Sequence, residues 1–319
     1  MAITNNLTAG EKQIEPFQQL RCSAAWARGI HEHWKYLSVV DIFLSITAVL
    51  GNILILVALR KVSSLHPPSK LLFRCLATTD LCVGLITEPL SVVHWMSMAH
   101  SHWNLCHYTG VSCVIAGYIL SSVSLLTASA ISVDRLLALL LGLRYRQVVT
   151  LKRTYVIVVI FWIISAVVSI SYLLNRIIPI WYGYIIIPLC LLTSIFSYTN
   201  IFLKLRRHQT QVQGHIHQEQ PGEPVPLNIE RYRKAVSSAL WVQCTLVACY
   251  LPFPIVRALV VDNIGNSKLS PSSLLSFDVA TSLIYLNSSL NPILYCWKIS
   301  EVKQAVKETI RQALCCLPS

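Results

Sequence analysis

Six polar side chains lie inside stretches that are otherwise apolar, and their types suit a small cation. The set comprises one carboxylate, three amides and two hydroxyls: Asp80, Asn52, Asn287, Asn291, Ser124 and Ser288. Polar groups within a membrane span are costly and are functional candidates. A carboxylate buried alone would be protonated or paired, whereas hydroxyls and amides around it add hard oxygen ligands for a cation with water. The alternative is a hydrogen-bonded network between helices that holds no ion.

A second candidate group, Asp134-Arg135, directly follows the uncharged run 109–133. Arg135 is eleven residues from Ser124. That separation is about 16 Å along a helix, which rises 1.5 Å per residue. The cation candidates and the charged pair are therefore predicted to be separate sites on one helix.

The stretches that carry these residues predict a polytopic all-α membrane protein. Of the 319 residues, 54% are hydrophobic and only 13% are charged. An uncharged run of 25 residues can cross a bilayer. The predicted spans are residues 42–59, 71–99, 109–133, 154–175, 177–203, 235–256 and 279–297. The third is rich in small hydroxyl residues, which suits a helix surrounded by other helices, so we expect it at the centre of the bundle.

The basic residues predict the orientation in the membrane. The net charge is +12, and nineteen of the 26 Lys and Arg residues fall on one side of the predicted spans. The positive-inside rule makes that side cytoplasmic and places the N-terminus outside. This placement would make Asn6, in an Asn-Leu-Thr sequon, available for glycosylation. Because the basic residues lie between apolar runs, we interpret them as topology signals and expect no nucleic-acid partner.

The last residues predict a helix lying on the membrane surface. Apolar residues recur every four positions from 302 to 314, with basic residues one step round the helix. Such a helix lies in the interface with its basic side towards the headgroups. Cys315 and Cys316 follow as a predicted palmitoylation site, the alternative being a soluble tail with two idle thiols. The expected division is an outer tail (1–36), a helical bundle (37–298) and a cytoplasmic helix and tail (299–319).

Two prolines, Pro252 and Pro292, lie inside predicted spans. Proline removes a backbone hydrogen bond and kinks a helix, so both are candidate hinges of a two-state bundle. The alternative is that they serve helix packing alone.

Several motifs together resemble those of the rhodopsin-like (class A) G-protein-coupled receptors. In chain order they are Gly51-Asn52, Asp80, Ser132-Val133-Asp134-Arg135-Leu136, Trp162, Cys249-Tyr250-Leu251-Pro252 and Asn291-Pro292-Ile293-Leu294-Tyr295. The likeness covers residues 38–316 and implies seven membrane helices that couple an extracellular ligand to a heterotrimeric G protein at the plasma membrane. The short second outer loop resembles the branch of melanocortin, cannabinoid, lysophospholipid and adenosine receptors.

The resemblance also implies roles for particular residues. Arg135 resembles the arginine that meets the G protein, and Tyr198 and Tyr295 resemble the tyrosines that support it. Asp134, Asn291 and Pro292 belong to the same activation motifs. The cation candidates resemble a sodium pocket, so an allosteric sodium ion is the only bound group expected. Gly110 stands where the family commonly has a disulfide cysteine; Cys22, Cys106 and Cys113 lie near the outer face, and a Cys22–Cys106 bridge is one possibility.

The predicted ligand pocket lacks the acid that amine receptors use. That position is Gly117, and Tyr250 stands where the family usually has tryptophan. The pocket set is Glu88, Val114, Gly117, Tyr118, Ser121, Tyr250, Phe253, Arg257 and Tyr285. Further aromatic residues are expected in its lining: Trp95, Trp181, Tyr182 and Tyr184. Arg257 could meet an anionic group of a ligand or the lipid headgroups.

These features favour a small neutral ligand over an amine. An aromatic, apolar lining suits a lipid or a nucleoside somewhat better than a peptide. We expect no enzymatic activity, because no nucleophile–base pair or metal cluster falls in the predicted pocket. The rival function is a transporter or channel, although transporters commonly show internal repeats and none is evident in this sequence.

Overall fold

A computed structural model describes residues 21–22, 31–62, 65–216, 241, 243–265, 270–298 and 300–315, and most of these residues are helical. The helices are α1 (His31–Lys61), α2 (Pro67–Ala99), α3 (Trp103–Leu141), α4 (Leu151–Ile170), α5 (Ile177–Ile216), α7 (Pro271–Lys298) and α8 (Ser300–Cys315). Helix α6 consists of residues 243–250 and Pro252–Gly265, with a bend at Leu251. A short helix, Tyr145–Val148, connects α3 to α4.

Helices α1 to α7 form the membrane bundle. Within the described residues, six spans, in α1 to α6, are long and apolar enough to cross a bilayer. Helix α7 has 28 residues, about 42 Å at the usual rise, so its length also suffices. Its hydroxyl and amide side chains lower its mean hydropathy. Two of them, on Ser288 and Asn291, donate hydrogen bonds to Asp80 inside the bundle. The predicted all-α bundle of seven spans is confirmed.

Helix α3 lies at the centre, as its hydroxyl side chains predict. It contacts α2, α4 and α5. The Ser122 hydroxyl lies 2.6 Å from that of Ser165 on α4, and the Ser129 hydroxyl lies 3.1 Å from that of Ser194 on α5. These hydrogen bonds link neighbouring helices inside the bundle, which accounts for the small polar residues along α3.

The first and seventh helices extend further than the predicted spans. Helix α1 begins at His31 and takes in residues that were assigned to the tail, and α7 begins at Pro271 instead of residue 279. The predicted spans ended at charged residues, but Asp41 and Asp278 are buried inside the bundle. Membrane helices accept acids on the side that faces other helices.

The prolines have different local effects. The helix is interrupted at Leu251, just before Pro252, whereas α7 continues through Pro292. Helix α2 contains a π-helical turn, Val83–Thr87, immediately before Glu88 and Pro89. A π-turn admits one extra residue and so rotates the side chains that follow it about the helix axis.

Helix α8 packs against α1 and α7. Its residues Ala305 and Val306 are buried, while Lys303 and Lys307 are exposed, as expected for an amphipathic helix. Cys315 is its last residue. Cys316 and the sequon at Asn6 lie outside the described residues.

Candidate functional site

The Asp80 carboxylate lies at the centre of a polar cluster in the middle of the bundle. One of its oxygens accepts hydrogen bonds from the Ser124 and Ser288 hydroxyls, each at 2.9 Å. The other accepts one from the Asn291 amide at 2.7 Å. Helices α2, α3 and α7 are thereby joined at one carboxylate whose side chain is fully buried.

The two remaining members of the predicted cation set, Asn52 and Asn287, are also fully buried. The Asn52 amide donates to the backbone carbonyls of Ala48 at 2.8 Å and Ser288 at 3.1 Å. Neither polar atom of the Asn287 side chain has a hydrogen-bond partner among the described residues, although the residue is fully buried. The Asp80 carboxylate and the Ser124 and Ser288 hydroxyls bonded to it are hard oxygen ligands, so the residues present fit a sodium ion.

Close helix packing brings α1 and α7 together beside this cluster. A side chain at Gly51 would place its Cβ 2.8 Å from Cγ of Pro292. Only the absence of a side chain permits that approach. Gly51 therefore serves the packing that positions Asn291 and Pro292.

At the other end of α3, Asp134 and Arg135 do not pair with each other. Asp134 accepts hydrogen bonds from the Ser69 hydroxyl at 2.8 Å and the Tyr145 hydroxyl at 2.6 Å. Arg135 is exposed, with its guanidinium carbon 5.3 Å from the centroid of the Phe73 ring. Among the side chains that the structure describes, it has no carboxylate partner. The arginine is thus available to a protein that docks at this end, which we call the inner end.

Of the predicted supporting tyrosines, one can be placed. The Tyr198 hydroxyl of α5 lies beside Ser132 and within electrostatic reach of Arg135. The backbone of Tyr295 continues α7, but its side chain is outside what the structure describes.

A cavity of about 140 Å³ opens at the opposite, outer end of the bundle. Eight of the nine predicted pocket residues line it: Val114, Gly117, Tyr118, Ser121, Tyr250, Phe253, Arg257 and Tyr285. Trp95 and Tyr182 also line it, whereas Trp181 and Tyr184 do not. Trp181 is 58% exposed and lies on the outside of the bundle, where it contacts the half-buried Tyr184 edge to face.

The absence of a side chain at Gly117 makes room for Tyr285. A Cβ at this position would lie 3.4 Å from the Tyr285 hydroxyl oxygen, so a longer acidic side chain would displace that ring. The buried hydroxyl of the next residue, Tyr118, has no hydrogen-bond partner among the described residues. The Tyr250 hydroxyl donates to the Ser121 carbonyl at 3.5 Å. The wall therefore offers aromatic faces, and the Tyr118 hydroxyl is one group in it that a ligand could engage.

Glu88 is the member of the predicted set that the structure places outside this wall. It follows the π-turn, is fully buried and lies within electrostatic reach of Asp41 on α1. Neither carboxyl oxygen has a hydrogen-bond partner among the described residues. The extra residue in the π-turn changes the face that Glu88 presents, which helical spacing in the sequence does not reveal.

The sequence predicted Glu88 as the acid of the pocket, but the acid in the described cavity wall is Asp278, which was not predicted. It forms a salt bridge with Arg21 and accepts a hydrogen bond from the Trp34 indole at 3.1 Å. A disulfide between Cys22 and Cys106, with Cα atoms 5.8 Å apart, ties the segment carrying Arg21 to α3. His94 also lines the cavity, with its Nδ1 3.1 Å from the Cys106 carbonyl oxygen. The only sequence signal was the position of Cys22 beside Arg21, which could have placed that arginine near α3.

Comparison with known proteins agrees with this arrangement. The family described as "7 transmembrane receptor (rhodopsin family)" matches residues 51–178 and 176–295. The Homo sapiens adenosine receptor A2a is 23% identical over 307 residues, covering 85% of this chain and 71% of the relative. The Ovis aries adenosine receptor A3 is 24% identical over 307 residues, covering 88% of this chain and 91% of the relative.

This chain is about equally similar to a receptor of a different name. The Cavia porcellus histamine H2 receptor is 26% identical over 310 residues, covering 88% of this chain and 79% of the relative. These matches support the receptor prediction and give no support to a transporter or channel. The family match spans most of the bundle, and this chain therefore belongs to the rhodopsin-like family of G-protein-coupled receptors.

Proposed function

We propose that this receptor lies in the plasma membrane with its N-terminus outside and activates a heterotrimeric G protein inside the cell. The arrangement of α3 carries the proposal: it lines the cavity at the outer end, contacts Asp80 at its middle and presents Arg135 at the inner end. A ligand that changes the packing of α3 could alter both ends through the Asp80 cluster. Glycosylation at Asn6 and acylation at Cys315 and Cys316 belong to the same proposal.

We further propose that the native agonist is a small non-amine, a lipid or a nucleoside ahead of a peptide. The aromatic wall supports this, as does the acid in the wall, Asp278, because it is already paired with Arg21. An ammonium group would have to break that pair or remain uncompensated. The adenosine receptors among the relatives favour a nucleoside, while the histamine receptor makes an amine the rival to exclude.

Guanine-nucleotide exchange tests both statements. Membranes containing the full-length receptor and a panel of G proteins would be exposed to nucleosides, lipids, peptides and amines. We expect exchange above that of receptor-free membranes, stimulated by at least one non-amine class. A transporter would leave exchange unchanged. Activation by a low concentration of a small amine, lost on Asp278→Asn, would overturn the ligand assignment.

Sodium should weaken agonist binding through Asp80. An ion that favours one state lowers the affinity of ligands that favour the other, by about fivefold to 150-fold. We expect Asp80→Asn to abolish the sodium effect, measured as agonist displacement with and without NaCl at constant ionic strength. Asp41→Asn changes a different buried acid, one on α1, and should preserve the sodium effect. If sodium does not change agonist affinity in the unmutated receptor, the result would favour the alternative, a hydrogen-bonded network that holds no ion.

A further inference from the structure

The charges in the cavity wall do not cancel. The wall contains two arginines, Arg21 and Arg257, and one acid, Asp278. Because Asp278 pairs with Arg21, the positive charge of Arg257 has no counter-ion among the side chains that the structure describes. The described wall is therefore net positive at its outer end.

The guanidinium of Arg257 lies over two aromatic rings. Its guanidinium carbon lies 5.9 Å from the centroid of Phe253 and 5.8 Å from that of Phe277. Its Nε is buried without a hydrogen-bond partner among the described residues. Stacking fixes the plane of a guanidinium and leaves its N–H groups free to bind an oxyanion. A carboxylate or phosphate would satisfy this geometry, with two parallel hydrogen bonds where it binds side by side.

A further arginine raises the positive potential at the same end. Arg176 stacks on Tyr172, with its guanidinium carbon 5.8 Å from the ring centroid, and its Nη1 is buried without a described hydrogen-bond partner. Tyr172 itself lies within electrostatic reach of Arg176, Arg257 and Arg21. Charges of one sign beside a low-dielectric cleft attract ligands of the opposite sign.

Most of the cavity wall is apolar. Its apolar and aromatic lining includes Leu125, Ile186, Ile187, Tyr250 and Ile284. A small, highly charged anion would leave this part of the cavity unfilled. An alkyl chain or a fused ring would fill it and gain the free energy of apolar burial.

We propose that the cavity binds an anionic amphiphile, whose carboxylate or phosphate pairs with Arg257 and whose apolar body extends towards Tyr250. This assignment rests on the proposed receptor function and narrows its ligand class. The unpaired Tyr118 hydroxyl provides one more hydrogen-bond donor along the path of the ligand.

Lipid probes that share one hydrocarbon chain but differ in their headgroup test the assignment. Full-length receptor in neutral phosphatidylcholine nanodiscs would be titrated with oleate, 1-oleoyl-lysophosphatidate, oleyl alcohol and monooleoylglycerol, with binding and G-protein exchange measured separately. We expect at least one anion to bind at a concentration at least about tenfold lower than the neutral probes, because the charged pair is desolvated. The better of the two anions identifies the head as carboxylate or phosphate.

Variants at Arg257 test whether this residue binds the anionic headgroup. Arg257→Gln should weaken binding of the preferred anion at least about tenfold and leave the neutral probes unchanged. Arg257→Lys should recover part of the loss, since it restores charge but not the planar fork. Lys35→Gln is the matched control: it removes an outer positive charge whose partner is the exposed Glu32, outside the cavity wall.

The outcomes separate this assignment from the receptor function itself. Equal binding of anionic and neutral probes, binding of neither, or an Arg257→Gln variant that binds the anion normally would overturn the assignment. The last result would mean that Arg257 serves the lipid headgroups. Ligand-independent exchange in the same nanodiscs would leave the receptor function standing in each case. Anion binding that depends on Arg257 but never stimulates exchange would support the site and count against G-protein coupling.

Discussion

Asp278→Ala should destabilise the receptor by about 3–5 kcal/mol, because it removes the carboxylate that forms a salt bridge with the partly buried guanidinium of Arg21. The side chains of Arg21 and Asp278 are 13% and 3% exposed, so water compensates little of the loss. The Trp34 indole also loses its acceptor. Thermal unfolding of the purified receptor in detergent, at fixed receptor concentration, measures the effect as a fall in Tm.

A double-mutant cycle separates the ion pair from other effects of the substitution. Arg21→Ala with Asp278→Ala should cost less than the two single changes added together, since the double variant removes both charges of the pair. The exposed salt bridge between Glu32 and Lys35 supplies the control. Solvent-exposed salt bridges contribute little to stability, so removing this one should barely change Tm. Strict additivity at Arg21 and Asp278 would show that the pair carries no coupling energy.

Arg135→Ala should lower stimulated guanine-nucleotide exchange at least about tenfold, the effect of losing some 1.4 kcal/mol from the activation barrier. The arginine is exposed at the inner end, and Asp134 is already bound by Ser69 and Tyr145. It is thus positioned to meet a docked G protein without first breaking an ion pair. Agonist affinity measured without G protein should change little, because the cavity lies at the other end of α3.

Another exposed arginine provides the comparison. Arg153, at the start of α4, donates to the Val148 carbonyl at 2.8 Å, and Arg153→Ala should retain most of the exchange. Surface expression must match in all variants, so that a folding defect is not read as a signalling defect. Normal exchange by Arg135→Ala at equal expression would remove this residue from the proposed interface.

The spans and the Asp80 cluster could be predicted because each rests on local sequence. A run of uncharged residues reports a membrane helix whatever its neighbours are. Asp80 and Ser124 were recognisable because a polar group in such a run needs a partner, and the structure joins them at 2.9 Å. The hydroxyl-rich character of α3 likewise predicted its central position.

The cavity was only partly predictable, since its wall depends on which face each helix turns inwards. The π-turn in α2 moves Glu88 out of the wall, and hydrogen-bond register within a helix is not visible in residue types. Arg21 and Asp278 are far apart in the chain, and each appeared to be a charge at the end of a span or in a tail. Their contact arises from the disulfide and from the packing of α1 and α7.

The sequence by itself therefore determined the number of helices, the position of the polar cluster and the separation of two sites along α3. Those properties follow from hydrophobicity and from helix rise, which act over neighbouring residues. Tertiary structure alone decided that Asp278 is neutralised by Arg21 and that Arg257 is left as the unpaired charge in the described wall. Charge pairing depends on distance in space, and the chain order of these residues carries no information about it.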